Sequence, residues 1–285
     1  MDVTHAAVAV GVVAVVLVFL DIVSGRVSQP RPRKPTRDVA ELSIRHEDVR
    51  IPAGDHSLAG WILCPEGREG RPLVLLAHGW GANYSRLLSL AGPLVEAGCP
   101  VLLFDIQGHG RNEPVAYVTA RHFRDDILAV TRYAAERFPH RRRILVGHSM
   151  GGGAAVLAAA AGAPVDALVL IAAPANVLDV TADYLRDRGL PGGLMVALLH
   201  PFWWRRIGGF FRHIQPERRI KEVSQPLVIL QPELDERVSA SHARRLGDAA
   251  GVEPVVIPGA NHNDVLENPE THRILLEVAE RETRR

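Results

Sequence analysis

Short, continuous apolar runs recur along most of the chain, and stretches long enough for a helix separate them. The runs lie at residues 72–77, 100–105, 143–147, 167–172, 226–231 and 254–257. Continuous apolar strands that alternate with helices are typical of a parallel sheet covered on both faces. Two further segments, 42–51 and 56–64, flank a turn-rich stretch and predict an antiparallel hairpin. The sequence therefore predicts an α/β fold with an eight-stranded, mostly parallel sheet flanked by helices.

The composition is that of a globular chain without an excess of charge. The chain has 33 Lys and Arg residues and 32 Asp and Glu residues. The resulting net charge of +1 gives no support to a nucleic-acid-binding surface. Cys64 and Cys99 are too few for a disulfide framework or a four-cysteine zinc site. A His-Glu-x-x-His motif and a Gly-x-Gly-x-x-Gly helix opening after the first parallel strand are both absent. We therefore expect no metal, no nucleotide cofactor and no nucleic-acid partner.

The N-terminal segment has the length and composition of a membrane span. Residues 6–20 form an unbroken apolar run, which Asp21 interrupts and residues 22–23 extend. About 18 residues at ~1.5 Å each approach the thickness of the hydrocarbon core. No Lys or Arg precedes the run, whereas five follow it: Arg26, Arg31, Arg33, Lys34 and Arg37. This asymmetry predicts a single-pass anchor in the cell membrane with the following domain in the cytoplasm.

The alternative to a retained anchor is a cleaved signal peptide, with small residues near position 24 as a cleavage site. Signal peptides carry their positive charge before the apolar run, and here the charge follows it. We therefore expect residues 1–24 to be a transmembrane anchor and residues 25–41 to be an extended, solvated linker rich in proline and basic residues. Residues 42–285 would form the main domain.

One connection breaks the alternation of strands and helices. Residues 174–225 are too many for a single crossover helix with short loops, so we predict a helical cap inserted over one end of the sheet. Its segment 202–211 is rich in aromatic residues and arginines. These aromatic side chains would either line a pocket or the membrane interface, or pack on the domain beneath them.

The most specific motif follows the apolar run at 143–147. Gly147, His148, Ser149, Met150 and Gly151 form a Gly-x-Ser-x-Gly sequence between a predicted strand and an Ala-rich helix. The glycines leave room for a strained turn that lifts the serine hydroxyl above the sheet, at the positive end of a helix. This position is the carboxyl edge of the sheet, where open parallel sheets bind their ligands.

With this motif, the sequence from about residue 42 to the C-terminus resembles the α/β-hydrolase family. Four further segments agree with the family's order: His-Gly-Trp-Gly at 78–81, Asp-Ile-Gln-Gly-His-Gly at 105–110, Gln-Pro-Glu-Leu-Asp at 231–235 and Gly-Ala-Asn-His at 259–262. The resemblance implies Ser149 as the nucleophile, Asp235 as the acid and His262 as the base. It also implies that the backbone N–H groups of Trp80 and Met150 form the oxyanion hole.

The acid is the least determined member of this set. Glu233 and Glu236 lie close to Asp235, and Glu serves as the acid in some members of the fold. The family usually has Gly and a second acidic residue near Gln231 and Pro232, so this loop departs from the common pattern. Three other histidines follow strands, and we expect each to hold loops near the site by hydrogen bonds rather than to react: His78, His109 and His148.

The resemblance implies a serine hydrolase that cleaves a carboxylic ester or a lipid-like acyl substrate through an acyl-serine intermediate. A lipid-like substrate is favoured because an anchored domain meets molecules dissolved in the bilayer. An acyltransferase, a thioesterase or a peptidase would use the same residues, because the fold does not determine the substrate. A non-catalytic binding protein on the same fold is an alternative of a different class.

Overall fold

The computed structural model describes residues 3–31, 33–65 and 70–285. Within these residues, eight strands form one sheet in the order β1-β2-β4-β3-β5-β6-β7-β8. The strands are β1 (His46–Ala53), β2 (His56–Leu63), β3 (Leu73–Ala77), β4 (Val101–Phe104), β5 (Arg143–His148), β6 (Ala167–Ile171), β7 (Leu227–Pro232) and β8 (Val255–Ile257). Strand β2 is antiparallel to β1 and β4, and the other neighbouring strands are parallel. The predicted sheet and hairpin are confirmed.

Helices cover both faces of this sheet. The helices among the described residues, including those away from the sheet, are α1 (Val3–Val27), α2 (Leu88–Glu96), α3 (Ala120–Arg137), α4 (Met150–Ala160), α5 (Val177–Arg186), α6 (Gly192–Ile207), α7 (Pro216–Arg219), α8 (Ala240–Ala250) and α9 (Pro269–Thr283). Apolar residues of α3, α4 and α8 share one core with the sheet, and those of α2 and α9 share a second core on the opposite face. In β3, Leu75 belongs to the first core and Leu76 to the second. Burial on both faces explains why the strands appear as continuous apolar runs.

Helix α4 places the Gly-x-Ser-x-Gly motif at the carboxyl edge of the sheet. Residues 151–159 of this helix are all glycine, alanine, valine or leucine, and all are buried. Their small side chains allow α4 to pack closely between the sheet and α3. Because α4 is buried along most of its length, its first residue and the preceding Ser149 are held in a defined position.

The N-terminal helix is longer than the predicted anchor. Ala7–Val27 is long and apolar enough to cross a membrane, and most of its side chains are exposed. Residues 1 and 2 of the predicted anchor and Pro32 of the predicted linker lie outside the described residues. The division of the chain at residues 24 and 41 stays a prediction.

The segment that follows α1 lies along the main domain instead of being fully solvated. Ser28 O accepts a hydrogen bond from Val118 N at 2.7 Å, and Arg33 O accepts one from Asn83 Nδ2 at 2.9 Å. Val39 is completely buried. The proline and basic residues of this segment predict that it is extended and polar. They do not predict that its backbone carbonyl groups accept hydrogen bonds from distant loops.

Helices α5, α6 and α7 lie between β6 and β7, in the region predicted as a cap. The aromatic segment of this region has two faces. The Trp203 side chain is buried, with 5% exposure, whereas its neighbour Trp204 is 48% exposed. Packing on the domain and exposure to the surroundings are therefore both present, on different sides of α6.

A buried carboxylate ties the sheet edge to α3 and gives a testable pH dependence. His56 Nε2 lies 3.0 Å from Asp126 Oδ1, and Asp126 Oδ2 accepts a hydrogen bond from Gln107 N at 2.8 Å. The hydrogen bond to Asp126 raises the pKa of His56 to about 9 from 6.5, against the effect of burial. Protonated His56 therefore stabilises the fold fully below pH 6.5, and this contribution is lost as the pH rises to about 9.

We expect the free energy of unfolding to fall between pH 6.5 and about 9, and His56→Gln to remove that part of the fall. Urea denaturation of the detergent-solubilised chain at several pH values measures this slope. His140→Gln, at an exposed position, is the matched control and should keep the wild-type slope. An unchanged slope in His56→Gln would contradict the assignment.

Candidate active site

Ser149 occupies a strained turn between β5 and α4. Its backbone has φ 55° and ψ −126°, a combination that L-residues adopt only where the surroundings impose it. Both flanking glycines are required sterically. A Cβ on Gly147 would lie 2.5 Å from the Gly151 carbonyl oxygen, and a Cβ on Gly151 would lie 2.4 Å from the Ala77 carbonyl oxygen. The motif therefore forms the sharp turn that its sequence predicts.

The loop after β3 lies directly against Ser149. A Cβ on Gly79 would be 2.8 Å from the Ser149 Cβ and 3.3 Å from its Oγ, so a glycine is needed at this approach. Among the described residues, neither the Trp80 nor the Met150 backbone N–H donates a hydrogen bond. Two unpaired N–H donors thus belong to the residue after Gly79 and the residue after Ser149. In the sequence Gly79 is only part of the His-Gly-Trp-Gly segment, and its close approach to Ser149 was not predicted.

His78 fixes the conformation of that loop. Its Nε2 accepts a hydrogen bond from Ile106 N at 3.0 Å, so its Nδ1 carries the hydrogen and donates to Gly79 O at 2.8 Å. Burial lowers the pKa of His78 to about 3, which keeps the ring neutral. The histidine therefore serves the loop structurally, as the sequence analysis expects.

Asp235 and His262 meet after the last two strands. Asp235 Oδ2 lies 2.8 Å from His262 Nδ1, and the exposed fractions of the two side chains are 0% and 8%. Asp235 Oδ1 accepts hydrogen bonds from the backbone N–H groups of Arg237 and Val238, both at 2.9 Å. Because an ionised carboxylate only accepts, Nδ1 of a neutral His262 carries the hydrogen, and its lone pair is on Nε2. That tautomer is the one that can accept a proton at Nε2.

The other acidic residues of these loops have different contacts. Glu233 Oε2 accepts a hydrogen bond from Gly259 N at 2.7 Å, and Asp264 contacts the Asn261 side chain. In the part of the chain that the structure describes, Asp235 is the carboxylate hydrogen-bonded to His262. Gln231, at the position where the loop departs from the family pattern, donates from Nε2 to Val238 O at 3.2 Å. Its buried side chain thereby stabilises the turn that carries Asp235. This role of Gln231 was not predicted from the sequence.

His148 connects the Ser149 turn to the His262 loop. Its Nε2–H donates to the His262 carbonyl oxygen at 2.8 Å, and the two rings lie 4.8 Å apart. Burial lowers the pKa of His148 to about 3, so this bond is made by a neutral ring. No hydrogen bond joins Ser149 Oγ to His262 within the described residues. The structure therefore links His262 to the residue next to Ser149, without a hydrogen bond between Ser149 and His262 themselves.

Asp105 and His109 belong to the turn after β4 and hold it together. The Asp105 carboxylate accepts hydrogen bonds from Tyr84 N and Arg111 N, both at 2.8 Å, and its burial raises its pKa to about 7. His109 Nδ1 lies 2.9 Å from Gln107 O. Within residues 3–31, 33–65 and 70–285, no group of three or more His, Cys, Asp or Glu side chains is placed to hold a metal ion.

Comparisons with known proteins find similarity to hydrolases. A family model described as serine aminopeptidase, S33, matches residues 68–188, which include Trp80, Ser149 and Met150 but end before Asp235 and His262. A monoacylglycerol lipase of Mycolicibacterium smegmatis is 32% identical over 108 residues, which are 35% of this chain and 39% of the lipase. The chain thus spans about two fifths of the length of this curated relative.

Two solved structures extend the likeness over most of the chain. An esterase from Pyrococcus furiosus is 20% identical with a TM-score of 0.69, and the match covers 88% of this chain and 98% of the esterase. An α/β-hydrolase from Penicillium is 18% identical with a TM-score of 0.66, covering 85% of this chain and all of that one. At these identities the likeness is one of fold, and it confirms the fold that the sequence predicts.

Proposed function

We propose that the chain is a member of the α/β-hydrolase family and a serine hydrolase that cleaves carboxylic esters, including lipid-like acyl substrates. The observation that carries the proposal is the Asp235–His262 hydrogen bond beside the strained Ser149 turn. In this proposal Ser149 is the nucleophile, and Nε2 of a neutral His262 is the base. The monoacylglycerol lipase and esterase likenesses support an ester as the substrate.

In the proposed reaction, Ser149 Oγ attacks the carbonyl carbon of the ester while His262 Nε2 takes the hydroxyl proton. Asp235 holds the ring in its tautomer and stabilises the imidazolium that forms. The charge on the carbonyl oxygen is stabilised by the N–H groups of Trp80 and Met150, each of which is worth about 3–4 kcal/mol in comparable sites. His262 then donates the proton to the departing alcohol oxygen, which leaves an acyl-serine.

Water completes the cycle by the same chemistry in reverse order. His262 takes a proton from water, the resulting hydroxide attacks the acyl carbon, and the Ser149 oxygen recovers its proton from His262. The hydrogen bond between Ser149 and His262 need not be closed before substrate binds, since catalytic hydrogen bonds in free enzymes are often long. The site needs no cofactor for any of these steps.

We also place this reaction at a membrane. Helix α1 and the basic residues that follow it support a single-pass anchor with residues 42–285 on the cytoplasmic side. Two observations favour different substrates: the lipase likeness favours an acyl lipid, and the aminopeptidase family model favours a peptide. Both substrates would use the residues named above.

Turnover of p-nitrophenyl esters by the full chain in detergent tests the proposal, with an aminoacyl p-nitroanilide assayed in parallel. We expect ester cleavage, with one free carboxylic acid released for each p-nitrophenolate. Acyl transfer to an added alcohol in place of acid release would identify an acyltransferase, and cleavage of the anilide alone would identify a peptidase. A folded chain that turns over none of these compounds would favour a non-catalytic binding protein.

A further inference from the structure

The last two turns of α1 are joined to the end of α6 by a set of polar contacts, which we call the junction: Asp21, Ser24, Trp203, Arg205 and Arg206. Asp21 Oδ1 accepts hydrogen bonds from Arg205 Nη2 at 2.8 Å and Arg206 Nη1 at 2.9 Å. Ser24 is completely buried and accepts one bond from Trp203 Nε1 at 3.0 Å and one from Arg206 at 2.7 Å. The end of α1 is therefore held on the cap by directed hydrogen bonds.

Apolar side chains continue this contact toward the active site. Leu20, Val23 and Val27 of α1 pack on a buried cluster that includes Leu199, Trp203 and Ile207 of α6. Met150, the residue after the Ser149 nucleophile, packs on the same cluster. A motion of α1 relative to the cap would thus disturb the surroundings of the proposed oxyanion hole.

The opposite side of α6 has no covering element among the described residues. Leu194, Leu198 and Trp204 lie on one side of this helix at about 3.6 residues per turn, and all three are exposed. Phe210 is exposed just beyond the helix. We call these four residues the outer cap face. Arg205, which follows Trp204 on the same side of the helix, is the charged residue that also binds Asp21 in the junction.

The junction connects this face to the proposed membrane anchor. The exposed apolar side chains of α1, such as Val15 and Phe19, require a hydrocarbon environment, and α1 ends at the junction. Most of the outer cap face lies on α6, the helix to which the end of α1 is hydrogen-bonded. Its combination of Leu, Trp and Phe with a neighbouring Arg is typical of segments that lie at the boundary of headgroups and acyl chains.

We propose that the outer cap face lies in the interfacial layer of the same bilayer that α1 crosses, held there by the junction. This inference rests on the proposed membrane anchoring and deepens the proposed function, because it lets an acyl lipid reach the cap directly from the membrane. The anchor then has a second role: besides keeping the enzyme at the membrane, it orients the cap toward the source of the substrate.

Tryptophan quenching by brominated lipid tests this position without requiring activity. The full chain is reconstituted into phosphatidylcholine–phosphatidylglycerol vesicles, with or without bromine on the acyl chains. Trp204→Phe removes the native reporter, and Leu198→Trp or Val256→Trp is added to that background. Both sites carry an exposed apolar residue, but Val256 lies on β8, away from α6. This makes Val256→Trp the matched control.

We expect brominated vesicles to remove about half or more of the emission that Leu198→Trp adds, and little of that from Val256→Trp. Equal, weak quenching at both sites in a chain that floats with the vesicles would overturn the proposal. A blue-shifted but unquenched signal from Leu198→Trp would also overturn it, because a second copy of the chain would then cover the face. A chain that fails to float would overturn the anchoring as well, whereas ester turnover reports the catalytic proposal separately.

The junction has its own test in the same assay. Asp21→Ala removes the carboxylate that binds both arginines. We expect it to lower the quenching of the Leu198→Trp reporter toward the control level while the chain still floats. Unchanged quenching would show that the junction does not hold the cap at the membrane.

Discussion

Replacing Ser149 by alanine is expected to lower kcat for ester hydrolysis by about 10⁶-fold, since the loss of a serine nucleophile has an effect of this size in a comparable triad. The reason is that no other hydroxyl is positioned on this turn, and water must then attack the ester without an acyl-serine intermediate. Steady-state kinetics with a p-nitrophenyl ester measures the change. The free energy of unfolding should change little, because among the described residues the Ser149 side chain makes no hydrogen bond.

The matched control for this change is Ser57→Ala, at an exposed serine on β2. It should retain wild-type kcat and KM. If Ser149→Ala kept more than a small fraction of the wild-type rate in a preparation free of contaminating esterase, the nucleophile would have to be another residue.

The second large effect is expected from Asp235→Asn, which should lower kcat by about 10⁴-fold. The contacts explain why an isosteric amide fails. The loop N–H groups of Arg237 and Val238 require an acceptor, so the amide oxygen takes the place of Oδ1 and the NH₂ group faces His262 Nδ1. His262 must then carry its hydrogen on Nε2, which prevents it from accepting the Ser149 proton. Steady-state kinetics of the purified variants gives the ratio.

Glu233→Gln separates the two acid candidates on the same loop. Glu233 is exposed and accepts a hydrogen bond from Gly259 N, which a glutamine oxygen can also accept. This variant should keep most of the wild-type kcat. A large loss in Glu233→Gln, together with an active Asp235→Asn, would reverse the assignment of the acid.

The strands could be predicted because burial on both faces makes each of them a continuous apolar run. Val74 and Leu75 in β3 point to opposite cores, so neither face of the strand needs a polar residue and the run is continuously apolar. The Ser149 turn was predictable for a similar reason. A Cβ on Gly147 or Gly151 would lie too close to a carbonyl oxygen. The two glycines of the motif therefore indicate this tight turn in the sequence.

Contacts between distant segments were not predictable in this way. In the sequence, Asp21 is only an interruption of the apolar N-terminal run, but in the structure it binds Arg205 and Arg206. Nothing in the spacing of 184 positions relates these residues. The two neighbours Trp203 and Trp204 could not be assigned to burial or exposure either, because this depends on where α1 docks on α6.

The central claim is that Ser149 becomes acylated, and one measurement tests it most directly. The full chain is treated with a fluorophosphonate, which reacts with activated serines, and the modified peptide is located by mass spectrometry. The account predicts a single adduct on Ser149, absent from Ser149→Ala and strongly reduced in Asp235→Asn. An adduct on a different residue, or labelling of Ser149→Ala at the wild-type rate, would contradict it.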